Sequence, residues 1–526
     1  MIRRAPMLRR ARLLAAFRFI TVGLVLVPLL RFSSPIDAPE WQPEADRPGP
    51  AAQTTFRRVG DDAVAALRQM FYAGKGLWRD CPLANCWIHN SDWGSDALTN
   101  VLYLRLQQNA GDTNARAMLA ELARSARTYG PPCNGHACRL WSDVPMWDAI
   151  AAAHEYFVTH DAGALSKAEA AFWGVEASQN YDRGACPAIR YQRPFGRGDQ
   201  LKTLESDSNG IKAALLLCDA TADARYLSIA RRRYAAVRAY FFDVKAPLYS
   251  VYVFDDGRHC VQAPHRYFAS VNGNMVWNGL QLAQDTGIAS YRAQALATAR
   301  AIATDLGDRN GIFANLQAEN DTAEPLVEAM LGAARDPDGA FARAWILQNA
   351  AAAVSARRRD GTYGRFFDGP PPDSVVTAWQ TSGGFALAVA AATIAPNGIA
   401  AGRSAWSDAT YLARDVVSTS AVIRFNGSGI AIEGTIGDVC CQPGHARIFI
   451  DGRETMNGVG AWQNKSSAGL RFSDSVLFAW RWKSAGKHEV AFAPGIYDVK
   501  EGGAFLHLTG YKVLDDRARD AAIATR

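Results

Sequence analysis

Histidine and net charge are scarce in this chain, and several common motifs are missing. There are nine histidines in 526 residues. None falls at ligand spacing beside a cysteine pair, so no zinc arrangement, and no metal of any kind, is expected. No glycine-rich phosphate loop and no aromatic-basic stripe occurs, which argues against a nucleotide cofactor and against nucleic acid as partner. The formal charge is +6, yet Arg3, Arg4, Arg9, Arg10, Arg12 and Arg18 crowd the first residues, and the remainder is near neutral. Long hydrophobic runs are also lacking: the apolar stretch Phe19 to Leu30 is short for a spanning helix.

What is present is a large core-forming chain. Hydrophobic residues make up 49% and charged residues 21%, the balance of a globular protein of more than one domain. Residues 1–32, basic and then apolar, read as a signal peptide or membrane anchor, and residues 33–55 as a linker. Export is therefore expected, to a periplasmic, inner-membrane-attached or secreted location. Cysteine usage fits an oxidising compartment. Cys81 with Cys86, and Cys133 with Cys138, sit in short loops as disulfide candidates, while Cys186, Cys218 and Cys260 belong to an odd set of nine.

Between residues 56 and 396 apolar residues recur at spacings of three and four, the pattern of one-sided helices. About a dozen such segments run from Asp61–Tyr72 to Thr377–Ile394. Two stretches look like imperfect copies, one from Glu205 through Asn209 and one from Ser270 through Gly273, and repeated helix pairs predict a toroid, or alternatively a solenoid. Near Ser404 the period becomes two, and short strands with glycine turns predict a β-sandwich over residues 404–516. The expected fold is mainly α: an (α/α)6 toroid carrying a smaller C-terminal antiparallel β-sandwich.

The stretch Trp141-Ser142-Asp143-Val144-Pro145-Met146-Trp147 places a carboxylate at a loop-to-helix boundary between aromatic side chains. Pro145 suits a first helical turn. Asp143 or Ser142 could serve only as the cap of that helix. A carboxylate beside flat apolar rings can also meet a sugar ring, and desolvation raises its pKa toward that of a general acid. Asp92 and Asp96 flank Trp93 before another helix, and Glu205 and Asp207 open a third, so caps compete with catalysis there too. Trp93, Trp141, Trp147, Tyr191, Asn209, Tyr267, Asn272 and Trp277 suit sugar binding by stacking and hydroxyl contacts.

These motifs resemble glycoside hydrolase family 76, the endo-α-1,6-mannanases. Ser142 through Trp147 matches its "D-D-x-x-W-W" signature with Asp143 in the second position. Cys186 through Tyr191 resembles its "G-G-I-x-W" turn, Lys202-Thr203 through Asn209 its "K-N-x-x-x-N" segment, and Tyr267 through Gly273 its "Y-N-x-G" segment. Asp360 through Phe366, with Thr377 and Gln380, is similar to its last helix pair. The resemblance implies an (α/α)6 barrel, no cofactor, a polysaccharide partner, a monomeric enzyme, and a retaining mechanism with Asp143 as acid/base. The family's nucleophilic Asp falls on Ser142. Another carboxylate would have to fill that role, from Asp92, Asp96, Asp148, Glu205 or Asp207, or the enzyme would invert, or the barrel would bind glycan without cleaving it. A polysaccharide lyase or unsaturated-uronyl hydrolase is the alternative enzyme class, hinted at by Arg190, Tyr191 and Arg193. In the C-terminal domain, Phe425 to Ile430, Ile450 to Gly452 and Gly486 to His488 resemble glycan-binding modules.

Overall fold

The structure is a computed structural model and describes residues 54–79, 81, 93–129, 142–178, 184–191, 201–263, 267–314, 322–371, 377–400, 405–418, 421–437, 446–459, 471–494 and 506–514. Among them are twelve α-helices: α1 (Phe56–Phe71), α2 (Trp93–Gln108), α3 (Thr113–Tyr129), α4 (Val144–Thr159), α5 (Ala162–Ser178), α6 (Leu204–Thr221), α7 (Ala224–Phe241), α8 (Ala269–Thr286), α9 (Ala289–Asp305), α10 (Glu324–Ala334), α11 (Ala340–Ser355) and α12 (Ala378–Ile394). Every helical segment expected from periodicity is found, with ends shifted by a few residues. Helix α6, for instance, starts five residues before Asn209 because Thr203 caps it, its hydroxyl accepting from the Glu205 amide.

The even-numbered helices touch one another in a closed ring, α2-α4-α6-α8-α10-α12 and back to α2, and the odd-numbered helices pack outside it. Composition decides which helix goes where. Helix α12, rich in Ala and Gly, is buried on all sides over most of its length, as an inner helix must be. Helix α7 buries one stripe, which includes Arg233, and exposes Arg225, Arg231 and Arg232. Gly273 shows how tight the ring is: a Cβ there would stand 2.5 Å from the Leu326 Cα, so α8 and α10 meet only because that position has no side chain.

Connections differ at the two ends. Inner helices pass to outer ones through short turns, and His160, Ala222 and Gly287 close α4, α6 and α8 with left-handed residues. Outer helices return to inner ones through much longer segments. The inner-helix N-termini are therefore ringed by long loops and form the mouth of the toroid, the usual place for function on a rigid scaffold. One of these loops is braced by a small sheet of β1 (Leu201–Thr203), β2 (Tyr252–Asp255) and β3 (Cys260–Gln262), in the order given. A disulfide joins Cys186 to Cys260, 74 residues apart, a pairing the short cysteine spacings did not suggest. Cys81 is also disulfide-bonded; Cys86, Cys133 and Cys138 lie outside the described residues. Cys218 is free.

The C-terminal strands are β4 (Thr410–Ser418), β5 (Ala421–Gly437), β6 (Ala446–Ile450), β7 (Arg453–Val459), β8 (Arg471–Pro494) and β9 (Leu506–Leu514). They form an antiparallel sheet in the order β4-β9-β5-β8-β6-β7. Strands β5 and β8 are long and break register at Gly427/Gly429. Their one pair of halves lies beside β6 and the other beside β9. Apolar side chains from both parts, including Ile432, Phe478, Ile448 and Phe492, share one core, so the sheet folds over on itself. The three motifs read as glycan-binding meet in a turn. Asp451, at φ 51°, accepts from the Trp482 indole at 3.1 Å and pairs with His488 Nδ1 at 3.0 Å. His488 stacks on Trp482, ring centroids 4.1 Å apart, and pairs across the strands with Phe425. Trp482 is buried while the Asp451 side chain is 42% exposed, so the turn clasps the indole from the surface and the ring is not laid open as a stacking platform.

The toroid and these strands belong to one compact unit, and they meet through a partly buried polar joint. Arg481 of β8 donates to Asp368 at 3.0 Å, its carbonyl accepts from the Arg309 amide at 3.1 Å, and the Trp406 indole donates to the Asp368 carbonyl at 2.8 Å. Asp308 lies beside them, accepting from the Asn310 and Ile312 amides. Burial, reinforced by the Asp368 charge, pushes the Asp308 carboxyl up to about 7. Between the ordinary carboxylate range and that value the folded chain keeps a proton that the unfolded chain releases, so stability falls as pH rises through this window and the loss is complete above it. At about 1.4 kcal/mol per unit the swing is up to about 4 kcal/mol. Asp308→Asn keeps the acceptor and removes the titration. Thermal melts from pH 5 to pH 8 should therefore show the parent losing ground to this variant as pH rises; parallel melting curves would exclude the assignment.

Candidate active site

The mouth is best followed from the start of α4. Ser142 donates its hydroxyl to the Tyr191 carbonyl at 2.9 Å. Asp143 stands at the N-cap position with helical dihedrals, φ −77° and ψ −36°, and makes no side-chain cap bond; its carbonyl, not its carboxylate, receives the Met146 and Trp147 amides. Asp143 is 4% exposed, and its carboxylate is not used to start its helix, against the capping alternative. One turn on, Trp147 is buried against Ala97 of α2 and Trp379 of α12, and the two indoles meet edge to face at 5.6 Å. Asp96, in the first turn of α2, is buried as well. Three inner helices thus bring Asp143, Asp96 and a tryptophan pair to one side of the mouth. Trp93 begins α2; its side chain, and Asp92 and Trp141 altogether, lie outside the described residues.

The remaining acids have other environments. Asp207 is fully buried and is held by the Arg190 amide at 3.0 Å and guanidinium at 3.1 Å and by Arg233 at 3.4 Å. Glu176 binds the same two arginines, so Asp207 belongs to a closed quartet behind the mouth. Asp148 faces Lys167 at 3.7 Å, and burial pushes its carboxyl up. Glu205 lies in the first turn of α6, where its carboxylate accepts from the Thr203 hydroxyl at 3.2 Å.

The proposed sugar contacts divide similarly. Tyr191 is half-buried and forms a β-bridge with Lys202, whose ammonium lies 4.5 Å from the ring centroid. Lys202 is itself fixed by Asp255 at 2.9 Å and by the Cys186 carbonyl at 2.5 Å, so the Tyr191 ring rests on a rigid base beside Ser142. Asn272 is buried and spends its amide on the backbone of Tyr249 and Phe268. Tyr267 is buried and donates to Asp243 at 2.6 Å. Asn209 accepts from Asn274 at 2.6 Å within the ring. Trp277 lies deeper on α8, its ring centroid 5.2 Å from the Lys212 ammonium. Of this group, Tyr191 is the residue placed next to Asp143.

Sequence reading missed a polar chain through the toroid axis. His154 Nδ1 meets the Asn100 side-chain oxygen Oδ1 at 2.8 Å, and the Asn100 side-chain Nδ2 donates to Glu324 at 3.3 Å. Glu328, one turn along α10, pairs with Lys212 of α6. Burial and the neighbouring Glu328 push Glu324 up to about 8, while burial and Lys212 hold His154 well below its usual range. Tyr103 stacks on His154 with centroids 4.0 Å apart. The available signal was the unusual presence of Glu324, Glu328 and Lys212 inside otherwise apolar segments. Among the described residues no group of three metal-ligating side chains occurs, and no helix is long and apolar enough to cross a membrane.

No protein-family model and no curated protein matches this sequence. Solved structures do. The family 76 α-1,6-mannanase of a Salegentibacter species superposes with a TM-score of 0.56 at 18% identity, over 64% of this chain and 99% of that one. An inactive variant of that enzyme, with two consecutive aspartates replaced, was solved with α-1,6-mannotriose and matches with a TM-score of 0.56 at 17% identity, over 64% of this chain and 99% of that one. A family 76 α-mannanase of Bacteroides thetaiotaomicron matches with a TM-score of 0.54 at 13% identity, over 65% of this chain and 96% of that one. The chain therefore has the (α/α)6 toroid of the glycoside hydrolase family 76 enzymes, joined to a C-terminal antiparallel sheet.

Proposed function

We propose that this protein is an exported glycoside hydrolase acting on an α-mannan-like or bacterial exopolysaccharide, with Asp143 as the general acid. One observation carries the reading: Asp143 is buried at the toroid mouth one turn from the Trp147–Trp379 pair, yet its side chain caps no helix. A carboxyl placed at the mouth beside aromatic rings is positioned to protonate a glycosidic oxygen. Tyr191, on its Lys202 base, offers a ring to the sugar. The fold shared with mannanases supports the substrate class. Disulfides at Cys81 and at Cys186–Cys260 support export, since such bonds persist mainly outside the cytosol.

The test is a panel of α-mannans and bacterial exopolysaccharides incubated with the full chain. New reducing ends without ultraviolet absorbance are expected. Absorbance from unsaturated products would identify a lyase instead, and binding without cleavage would identify a glycan-binding protein.

A further inference from the structure

We infer that the Cys186–Cys260 disulfide is a positioning device for the mouth: acting through the segment Gly184–Tyr191, it holds the start of α4, and Asp143 with it, so that a dithiol lowers turnover of a chain that stays folded. The link to turnover rests on the glycosidase reading above. Gly184–Tyr191 contains no helix and no strand beyond the bridge from Tyr191 to Lys202, so side chains must fix it. Its near end is fastened to the β2–β3 hairpin. The Ala185 and Cys186 amides donate to the Asp255 carboxylate at 2.8 and 3.1 Å, a Cβ at Gly184 would collide with that carboxylate, and the Cys186 sulfur is bonded to Cys260 of β3. Its far end is fastened to the inner helices. Arg190 holds Asp207 in the first turn of α6, and the Tyr191 carbonyl accepts from Ser142, the residue before Asp143, at 2.9 Å.

The hairpin is the weak member of this series. Strand β3 is three residues long, lies at the edge of its sheet and exposes Val261. The turn that joins it to β2, residues 256–259, is exposed as well. Such a ribbon is marginal on its own. Asp255 is the last residue of β2 and leads directly into that turn, so its grip on Ala185 and Cys186 lasts only while the hairpin is closed. The disulfide keeps it closed. Cys186 is fully buried, whereas Cys260 is half-buried, which leaves the bond open to attack from the Cys260 side. One thiolate of a dithiol bonds to the Cys260 sulfur and expels the Cys186 thiolate, which takes up a proton. The second reagent thiolate bonds to the first reagent sulfur and expels the Cys260 thiolate, which is protonated in turn. Two electrons and two protons pass to the protein, and the reagent leaves as a cyclic disulfide.

Hydrogen–deuterium exchange on the full chain, before and after dithiothreitol and alkylation, reads the positioning without any glycan. Exchange at Met146 and Trp147, whose amides bond to the Asp143 carbonyl, should quicken as Cys260 becomes alkylated, while α9 and α11 keep their protection. Cys186→Ala/Cys260→Ala should show the same change without reagent. On a cleaved glycan, either form should lose about 10–10²-fold in kcat, the upper figure being the cost of a misplacement on the order of 1 Å. In a Ser142→Ala background, where the tie between the segment and α4 is already cut, removing the cysteine pair should cost at most about 2-fold more, the error of an additive comparison. Unchanged exchange at Met146 and Trp147 with Cys260 fully alkylated overturns the inference. So do losses that multiply in full in the Ser142→Ala background, and so does exchange that quickens in α9 and α11 alike. Faster exchange at the start of α4 in a chain that cleaves no glycan upholds the positioning and overturns the glycosidase reading alone.

Discussion

Replacing Asp143 with Asn is expected to lower turnover of the cleaved glycan by about 10²–10⁴-fold, the usual contribution of a positioned acid. The fold should be untouched. Asn fills the same volume, the helix start is made by the Asp143 carbonyl, and no side-chain cap is lost. Binding should survive as well, because Ser142 holds the Tyr191 main chain and Lys202 lies over its ring, neither contact involving the Asp143 carboxylate. Steady-state kinetics, a thermal melt and a binding titration on the same preparation separate these effects. Near-parental turnover would remove Asp143 from the chemistry, and a collapsed melt would mean that its role is structural.

The second large effect lies behind the mouth. Asp207→Ala should destabilise the protein by about 3–5 kcal/mol, the penalty for breaking a buried ion pair from one side. Arg190 and Arg233 are both fully buried and share Asp207 with Glu176. Removing one carboxylate leaves two guanidinium groups facing one remaining acid. Gly210 is part of this arrangement, since a Cβ there would stand 2.4 Å from the Arg190 guanidinium. Urea denaturation followed by circular dichroism measures the loss. A change under about 1 kcal/mol, typical of exposed pairs, would show that water reaches the quartet.

Much of the helical layer was legible because periodicity is local. A repeat of three and four marks a helix wherever it ends up, and apolar residues recur at that spacing in all twelve segments, although α12 is buried on all sides rather than along one stripe. Helix starts were less legible. Asp143 and Thr203 both sit just before helices as residues that can cap, yet Thr203 caps and Asp143 does not. The difference is backbone geometry: Thr203 is extended at ψ 136°, while Asp143 is already helical at ψ −36°. Asn272 illustrates the limit at the site. An Asn before a helical glycine suits a sugar hydroxyl and a backbone clamp equally, and only the approach of the Tyr249 main chain at 2.8 Å assigns it. In the sheet, the Asp-Gly turn was readable from its residues, whereas its partners Trp482 and His488 depended on strand register.

By itself the chain determined the order of helices, the change to strands near residue 404, and the presence of one acid among tryptophans at a helix start. These follow from composition and spacing along a single segment. Closure of the ring decided the rest. It set Asn100 against Glu324 across 224 residues, tied Cys186 to Cys260, and enclosed Asp207 while leaving Asp143 and Asp96 at the mouth. Such pairings depend on how inner helices of different origin meet around an axis, and that geometry exists only once the six of them are packed.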